Sequence, residues 1–270
     1  MNRRGYVSLI AGSRRLIGDS PAMLDARDLF LERGWYAGLR NTLSGLVAAE
    51  DGHRVVDIGC GTGYYLRGVL AALSGKPAAA RPAADGTPAA APLALAVDLS
   101  APAVARTVRA GLRNPGTSTA GLVADVWSPL PVRDGAADVV INVFAPRNPA
   151  EFHRIVTPGG LLAVVVPHPT HLQELRADGL ALDVHGNKSA DLVAGLAGLF
   201  ELEQTRDLST VLSLSPADVT ALIGMGPSAH HIRTAGHGSL DAAHPGPGVA
   251  GADRSVTVAF RLLAFRRTGT

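Results

Sequence analysis

The tightest constraint on this chain is the stretch Val55-Val-Asp-Ile-Gly-Cys-Gly-Thr-Gly-Tyr-Tyr65, where a short apolar run gives way to three glycines and then to helical spacing. Val55, Val56 and Ile58 suit a buried parallel strand. Gly59, Gly61 and Gly63 allow positive φ and let another group approach the backbone where a Cβ would collide. From Leu66 to Leu73 the apolar residues recur at helical spacing. The stretch therefore reads as strand, tight turn and helix, with the first N–H groups of the helix aimed at whatever sits over the turn.

A Gly-x-Gly-x-Gly after a strand is shared by several nucleotide-binding folds. Two acids narrow the choice. Asp57 stands two residues before the first glycine, where a dinucleotide fingerprint has an apolar residue, and the next predicted strand, Leu93 to Asp98, ends in a carboxylate able to accept ribose hydroxyls. This pattern resembles the cofactor site of class I S-adenosylmethionine (SAM) methyltransferases more closely than that of a nicotinamide enzyme. The resemblance implies a cofactor cradle of Asp57, Gly59, Cys60, Gly61, Gly63 and Tyr64, with Asp98 and Leu99 at the second strand end. It also implies Asp125 and Val126 at the adenine, and Asn142 beside the cofactor.

The 270 residues accommodate one large α/β domain with a small appendage, and 47% hydrophobic content is enough to build its core. A net charge of +2 falls short of the polycation expected of a protein that holds RNA by phosphate contacts alone. The single cysteine, Cys60, excludes an internal disulfide and a multi-cysteine zinc site, and its place in the turn suits packing rather than nucleophilic attack. No metal is expected. No apolar run reaches about 18 residues, so no membrane contact and a cytoplasmic location are expected.

Residues 1–50 read as a basic arm followed by a helical lid, and residues 51–270 as the catalytic domain, with an Ala/Pro-rich insertion at 74–92. Ser20 and Pro21 open the first lid helix and Gly34 closes it. Further strands are expected at Gly121–Asp125, Asp138–Asn142, Leu161–Val166, 208–215 and Val256–Phe265, with Thr157–Gly160 as a turn. Arg106, Arg109 and Arg113 fall at helical spacing and read as a solvated face. The fold class is α/β: a doubly wound, mostly parallel, seven-stranded sheet with an N-terminal helical lid.

A narrower resemblance runs along most of the chain. Gly5-Tyr-Val-Ser-Leu, Gly18-Asp-Ser, Ala124-Asp-Val-Trp127, Asn142-Val-Phe-Ala-Pro-Arg-Asn-Pro-Ala-Glu-Phe152, Asp183-Val-His185 and Gly224-Met-Gly-Pro-Ser-Ala-His230 resemble the bacterial 23S rRNA guanine-N1 methyltransferases, including those that confer macrolide resistance. Members of that family carry an N-terminal zinc finger ahead of the Gly-Tyr-Val segment, and this sequence begins four residues before Gly5. Reaching a base in folded RNA requires contacts that compensate for unstacking. The expected substrate is therefore a small heteroaromatic molecule, such as an indole or another natural-product ring, in preference to rRNA. Methylation of 23S rRNA and a non-catalytic SAM-binding role are the alternatives, and a homodimer is allowed.

Methyl transfer from a sulfonium is an in-line displacement, governed by positioning and by exclusion of water. Asn142 and Phe144 close the fourth strand of the domain, where this fold places residues beside the methyl: Asn142 to orient a ring N–H, Phe144 to stack on a flat ring. His168 and His230 are the candidate bases, with His171 and His185 among the other histidines considered. Tyr6, Asp19, Tyr36 and Met225 complete the expected substrate site with Phe144.

Overall fold

The structure is a computed structural model that describes residues 5–10, 18–75, 91–182, 188–226 and 251–269. The expected 74–92 insertion falls mostly outside these residues, as do Asp183, His185 and His230.

After a short strand, β1 (Tyr6–Ser8), the lid forms as the sequence implies. In α1 (Pro21–Glu32) the Ser20 hydroxyl accepts the Met23 N–H at 3.3 Å, Pro21 occupies the first turn, and Met23, Leu24, Phe30 and Leu31 are buried. Gly34, at φ +84°, ends the helix and lets α2 (Ala37–Ala48) fold back. The glycine strand is β2 (Arg54–Ile58), followed by α3 (Tyr64–Ser74), β3 (Leu93–Asp98), α4 (Ala101–Gly111), β4 (Ser118–Val123) and β5 (Ala137–Val143). Next come α5 (Pro149–Ile155), β6 (Val156–Pro167), α6 (Gln173–Ala177), α7 (Lys188–Leu196), β7 (Phe200–Leu214), α8 (Pro216–Gly224) and β8 (Arg254–Arg267).

The strands form one sheet in the order β1-β4-β3-β2-β5-β6-β8-β7, parallel from β1 through β6, with β8 antiparallel to β6 and β7 antiparallel to β8. The order reverses at β2, so the crevice beyond its carboxyl end, between β3 and β5, is the topological switch point where ligands of such sheets bind. One core packs Phe30, Leu43, Leu66, Leu70 and Val108 on one face of the sheet, and a second packs Phe152, Ile155 and Leu196 on the other.

Three expectations are corrected. The sheet has eight strands rather than seven, because Tyr6–Ser8 pairs with β4 as an added edge. Thr157–Gly160 is not a turn between elements but the start of β6. A register shift against β5 and Gly159 at φ +69° absorb the irregularity, and Gly160 packs where a Cβ would lie 2.8 Å from the Asp138 carbonyl oxygen. The strand expected at 208–215 begins at Phe200, and its first half, Glu-Leu-Glu-Gln-Thr-Arg-Asp, is polar because it is a largely exposed edge. That half is held by pairing with β8 and by the Asp207–Arg261 and Glu203–Arg266 ion pairs rather than by burial.

Candidate active site

Gly59, Gly61 and Gly63 all adopt positive φ, at +82°, +51° and +76°. A side chain at Gly59 would collide with the Ala145 Cβ, and one at Gly63 would come within 2.8 Å of Thr107 Cγ2. The turn's amides point inward. Gly59 and Cys60 donate to the Val97 carbonyl at 2.8 and 3.1 Å, Gly63 donates to Cys60 at 2.8 Å, and Gly61 donates to Asp98 Oδ2 at 3.0 Å. These four N–H groups are thereby taken up within the protein, leaving the first N–H groups of α3 as the ones expected over the turn. With these four donors taken up, the glycines of the turn offer a close backbone surface that a ligand can approach where a Cβ would collide.

Electrostatics points the same way. Asp57 is 3% exposed and makes no side-chain hydrogen bond among the described residues, and burial together with the neighbouring Asp98 pushes its carboxyl up to about 8. The Asp98 oxygens accept from Gly61 and, at 2.8 Å, from the Ser100 N–H, so each oxygen keeps a lone pair for a further donor. Burial raises its pKa against these two hydrogen bonds. Two close carboxyls short of cations, beside a backbone cradle that a Cβ would fill, fit a ligand with a cationic sulfur and amine and a ribose. Cys60 is buried with its thiol pushed well up, first by burial and then by Asp98 and Asp57, so it packs as a neutral thiol.

The lid closes on this cradle. Arg27 of α1 pairs with Asp19, donates to the Met225 carbonyl oxygen at 2.8 Å, and lies where a Gly61 Cβ would be 2.9 Å from its Nη1. The Ser100 hydroxyl donates to the Asp19 carbonyl oxygen at 2.8 Å. Asp19 and Met225 thus brace the cofactor side of the lid.

Beyond β5 the chain turns sharply. Phe144 has φ +54°, a strained conformation for a bulky residue, and its ring is 43% exposed. It belongs to an aromatic cluster: Phe144 lies 5.5 Å from Phe260 and 6.4 Å from Tyr65, and Phe260 lies 4.8 Å from both Tyr36 and His171. Tyr36 forms the floor, 3% exposed with its hydroxyl unpartnered, and burial holds its pKa far above the usual phenol range. Phe260 and Tyr65 were not singled out in the sequence. Phe260 sits at an inward position of an apolar strand, so only the antiparallel pairing of β8 with β6 reveals it as part of the site.

His171 is the histidine that the fold brings to this cluster. The Ala259 N–H donates to its Nδ1 at 3.2 Å, which puts the proton of the neutral ring on Nε2, and burial lowers its pKa to about 4. It is a neutral donor at physiological pH.

Several expected site residues also have structural partners. Asn142 is fully buried, and its Nδ2 donates to the Ile58 and Pro146 carbonyl oxygens at 3.1 and 3.0 Å, tying β2 to the turn after β5; its Oδ1 is unpartnered. Tyr6 is a core residue paired opposite Gly121, short of the carboxyl end of the sheet. The Nδ1 of His168, the candidate base at the end of β6, lies 3.0 Å from the Thr170 hydroxyl. Asp125 accepts the Trp127 N–H at 3.1 Å, and the Val126 carbonyl oxygen accepts from Asn148 at 3.0 Å, so both shape the turn after β4. The Tyr64 ring is buried under the Arg40 guanidinium, 4.6 Å away, and leaves only its backbone at the turn; Leu99 follows Asp98 at the rim.

No protein-family model matches the chain. A 23S rRNA (guanine(748)-N(1))-methyltransferase of Streptomyces fradiae is 41% identical over 234 residues, covering 85% of this chain and 76% of that protein. A Micromonospora griseorubida protein assigned to the 23S rRNA (guanine-N(1)-)-methyltransferases is 36% identical over 281 aligned residues, 98% of this chain and 86% of its own length. Among solved structures, a protein of Bacillus halodurans described as a methyltransferase superposes with a TM-score of 0.53 at 17% identity, covering 85% of this chain and 99% of that one. The YcgJ protein of Bacillus subtilis gives 0.50 at 15%, with the same coverage. These two share the fold alone. Among the described residues no helix is long and apolar enough to cross a membrane. The glycine cradle, its unpaired carboxyls and the extent of identity with the Streptomyces protein lead to one assignment: the chain is a SAM-dependent methyltransferase and belongs to the 23S rRNA guanine-N1 methyltransferase family.

Proposed function

We propose that the chain transfers a methyl group to N1 of a guanine in 23S rRNA. The observation that carries this reading is the 41% identity over most of both chains to a protein named for that reaction. It reverses the order of substrate classes expected from composition: a charge of +2 weighs less than 41% identity over 85% of the chain. The small-ring reading remains the second, favoured by the exposed Phe144 face, which accepts any flat ring.

SAM, when bound, supplies the electrophilic methyl carbon, and the chain's residues do the rest. Asp98 takes ribose hydroxyls, Asp57 faces the cationic end, and the glycines admit both. A guanine extruded from its stack lies against Phe144, with Phe260 and Tyr36 behind it. As the N1 proton passes to solvent water, negative charge builds on O6. The Nε2–H of His171, kept neutral and in one tautomer by Ala259, is the donor that meets it. The test is methylation of a 23S rRNA fragment in competition with aromatic metabolites, with the product read as 1-methylguanosine.

A further inference from the structure

A groove of about 530 Å³ opens between α1, α3 and α4, behind the cofactor turn, and the reading above gives it no role. Four arginines line it. Arg67 pairs with Glu32, and Arg106 pairs with Asp25 and Asp28. Arg109, in the last turn of α4, and Arg113, just past its end, are exposed like charges with no side-chain partner among the described residues. Two buried polar atoms at the same groove also have no partner among the described residues: the hydroxyl of Thr62, a residue 3% exposed, and the Nδ2 donor of Asn114. Unpaired cations and unsatisfied donors gathered in one concavity have a common remedy in an anion with several acceptor oxygens.

We infer that this groove binds the phosphate backbone of the RNA substrate. The inference rests on the proposed rRNA reaction and adds to it a docking site remote from the methylated base. Position supports it. One side of α1 presents Arg27 and Phe30 to the cofactor turn and the aromatic cluster, and another presents Asp28 and Glu32 to the groove. Groove and pocket are therefore about one helix diameter apart, roughly 10 Å, a span that a few nucleotides bridge. The groove also answers the modest net charge, because affinity here comes from a few cations held together and not from a basic surface.

The test compares the full chain with its Arg109→Gln/Arg113→Gln variant and with Arg133→Gln, an exposed arginine outside the groove and without a side-chain partner. Binding of a 23S rRNA hairpin is followed by fluorescence anisotropy across a salt series, and SAM binding by calorimetry. The double variant is expected to bind RNA roughly tenfold more weakly near 0.1 M salt, and to lower the slope of log K against log salt by about 1.5. Its SAM affinity should be unchanged, and Arg133→Gln should change neither. If the full chain methylates rRNA while the double variant binds it with unaltered affinity and slope, the groove assignment is overturned and the rRNA reading stands. If the full chain binds no RNA, both fall.

Discussion

Burial and Asp98 hold the Asp57 carboxyl near 8, far above its unfolded value of 3.8, so between those pH values the folded chain binds more protons than the unfolded one. The contribution of this group to stability without ligand therefore declines as pH rises from about 4 to 8, and a cationic ligand that favours the carboxylate must release a proton on binding near pH 7. Calorimetry of SAM binding in buffers of different ionisation enthalpy should detect that proton, and Asp57→Asn should abolish it while weakening SAM binding at least tenfold. His171 gives the opposite slope. Its pKa falls from 6.5 unfolded to about 4 folded, so its neutral form contributes stability in full above pH 6.5 that is lost as pH falls toward 4. The two slopes oppose each other between about pH 4 and 6.5, so urea titrations should show His171→Gln removing the rise and leaving stability to decline with pH across that window. The same substitution should lower kcat more than it raises KM, since a donor to O6 acts mainly as charge develops. Asn142→Ala leaves the Ile58 and Pro146 carbonyl oxygens without their donor and should cost about 1–3 kcal/mol of stability.

At the scale of elements, the strand–turn–helix of residues 55–65 was legible because its glycines answer one local steric demand that no other residue meets. Gly59→Ala should accordingly abolish SAM binding: φ +82° disfavours any L side chain, and its Cβ would strike Ala145 on the neighbouring turn. Loss of the calorimetric signal would be the check, with circular dichroism reporting whether the sheet survives. The lid helix was equally legible, since Ser20, Pro21 and Gly34 mark its ends chemically. What the lid touches was not. Arg27 reaches Met225 across 198 residues of sequence, and no local pattern announces such a partner. The long β7 escaped for the same reason, because an edge ribbon held by cross-strand ion pairs lacks the buried alternation by which strands are recognised.

Across the whole molecule, the cofactor side of the site could be read from strand-end acids because parallel topology gathers strand ends at one crevice. The acceptor side could not. Phe144 was legible as a strand-end aromatic, but the wall around it comes from Tyr36, Tyr65, His171 and Phe260, which meet only after the antiparallel β8 returns to β6. His168, three residues from His171, has its Nδ1 against the Thr170 hydroxyl, whereas the His171 ring packs 4.8 Å from Phe260. Sequence proximity to the crevice therefore does not pick out the histidine. Composition is a blunt guide to the substrate as well, for a net charge of +2 averages over the whole chain while Arg109 and Arg113 stand together at one groove. The measurement that bears most directly on this account is incubation of the purified chain with a 23S rRNA fragment and SAM carrying a labelled methyl, followed by nuclease digestion and mass spectrometry of the nucleosides. The account predicts label in 1-methylguanosine at a single site. Label confined to an added aromatic metabolite, or on another nucleoside, would contradict it.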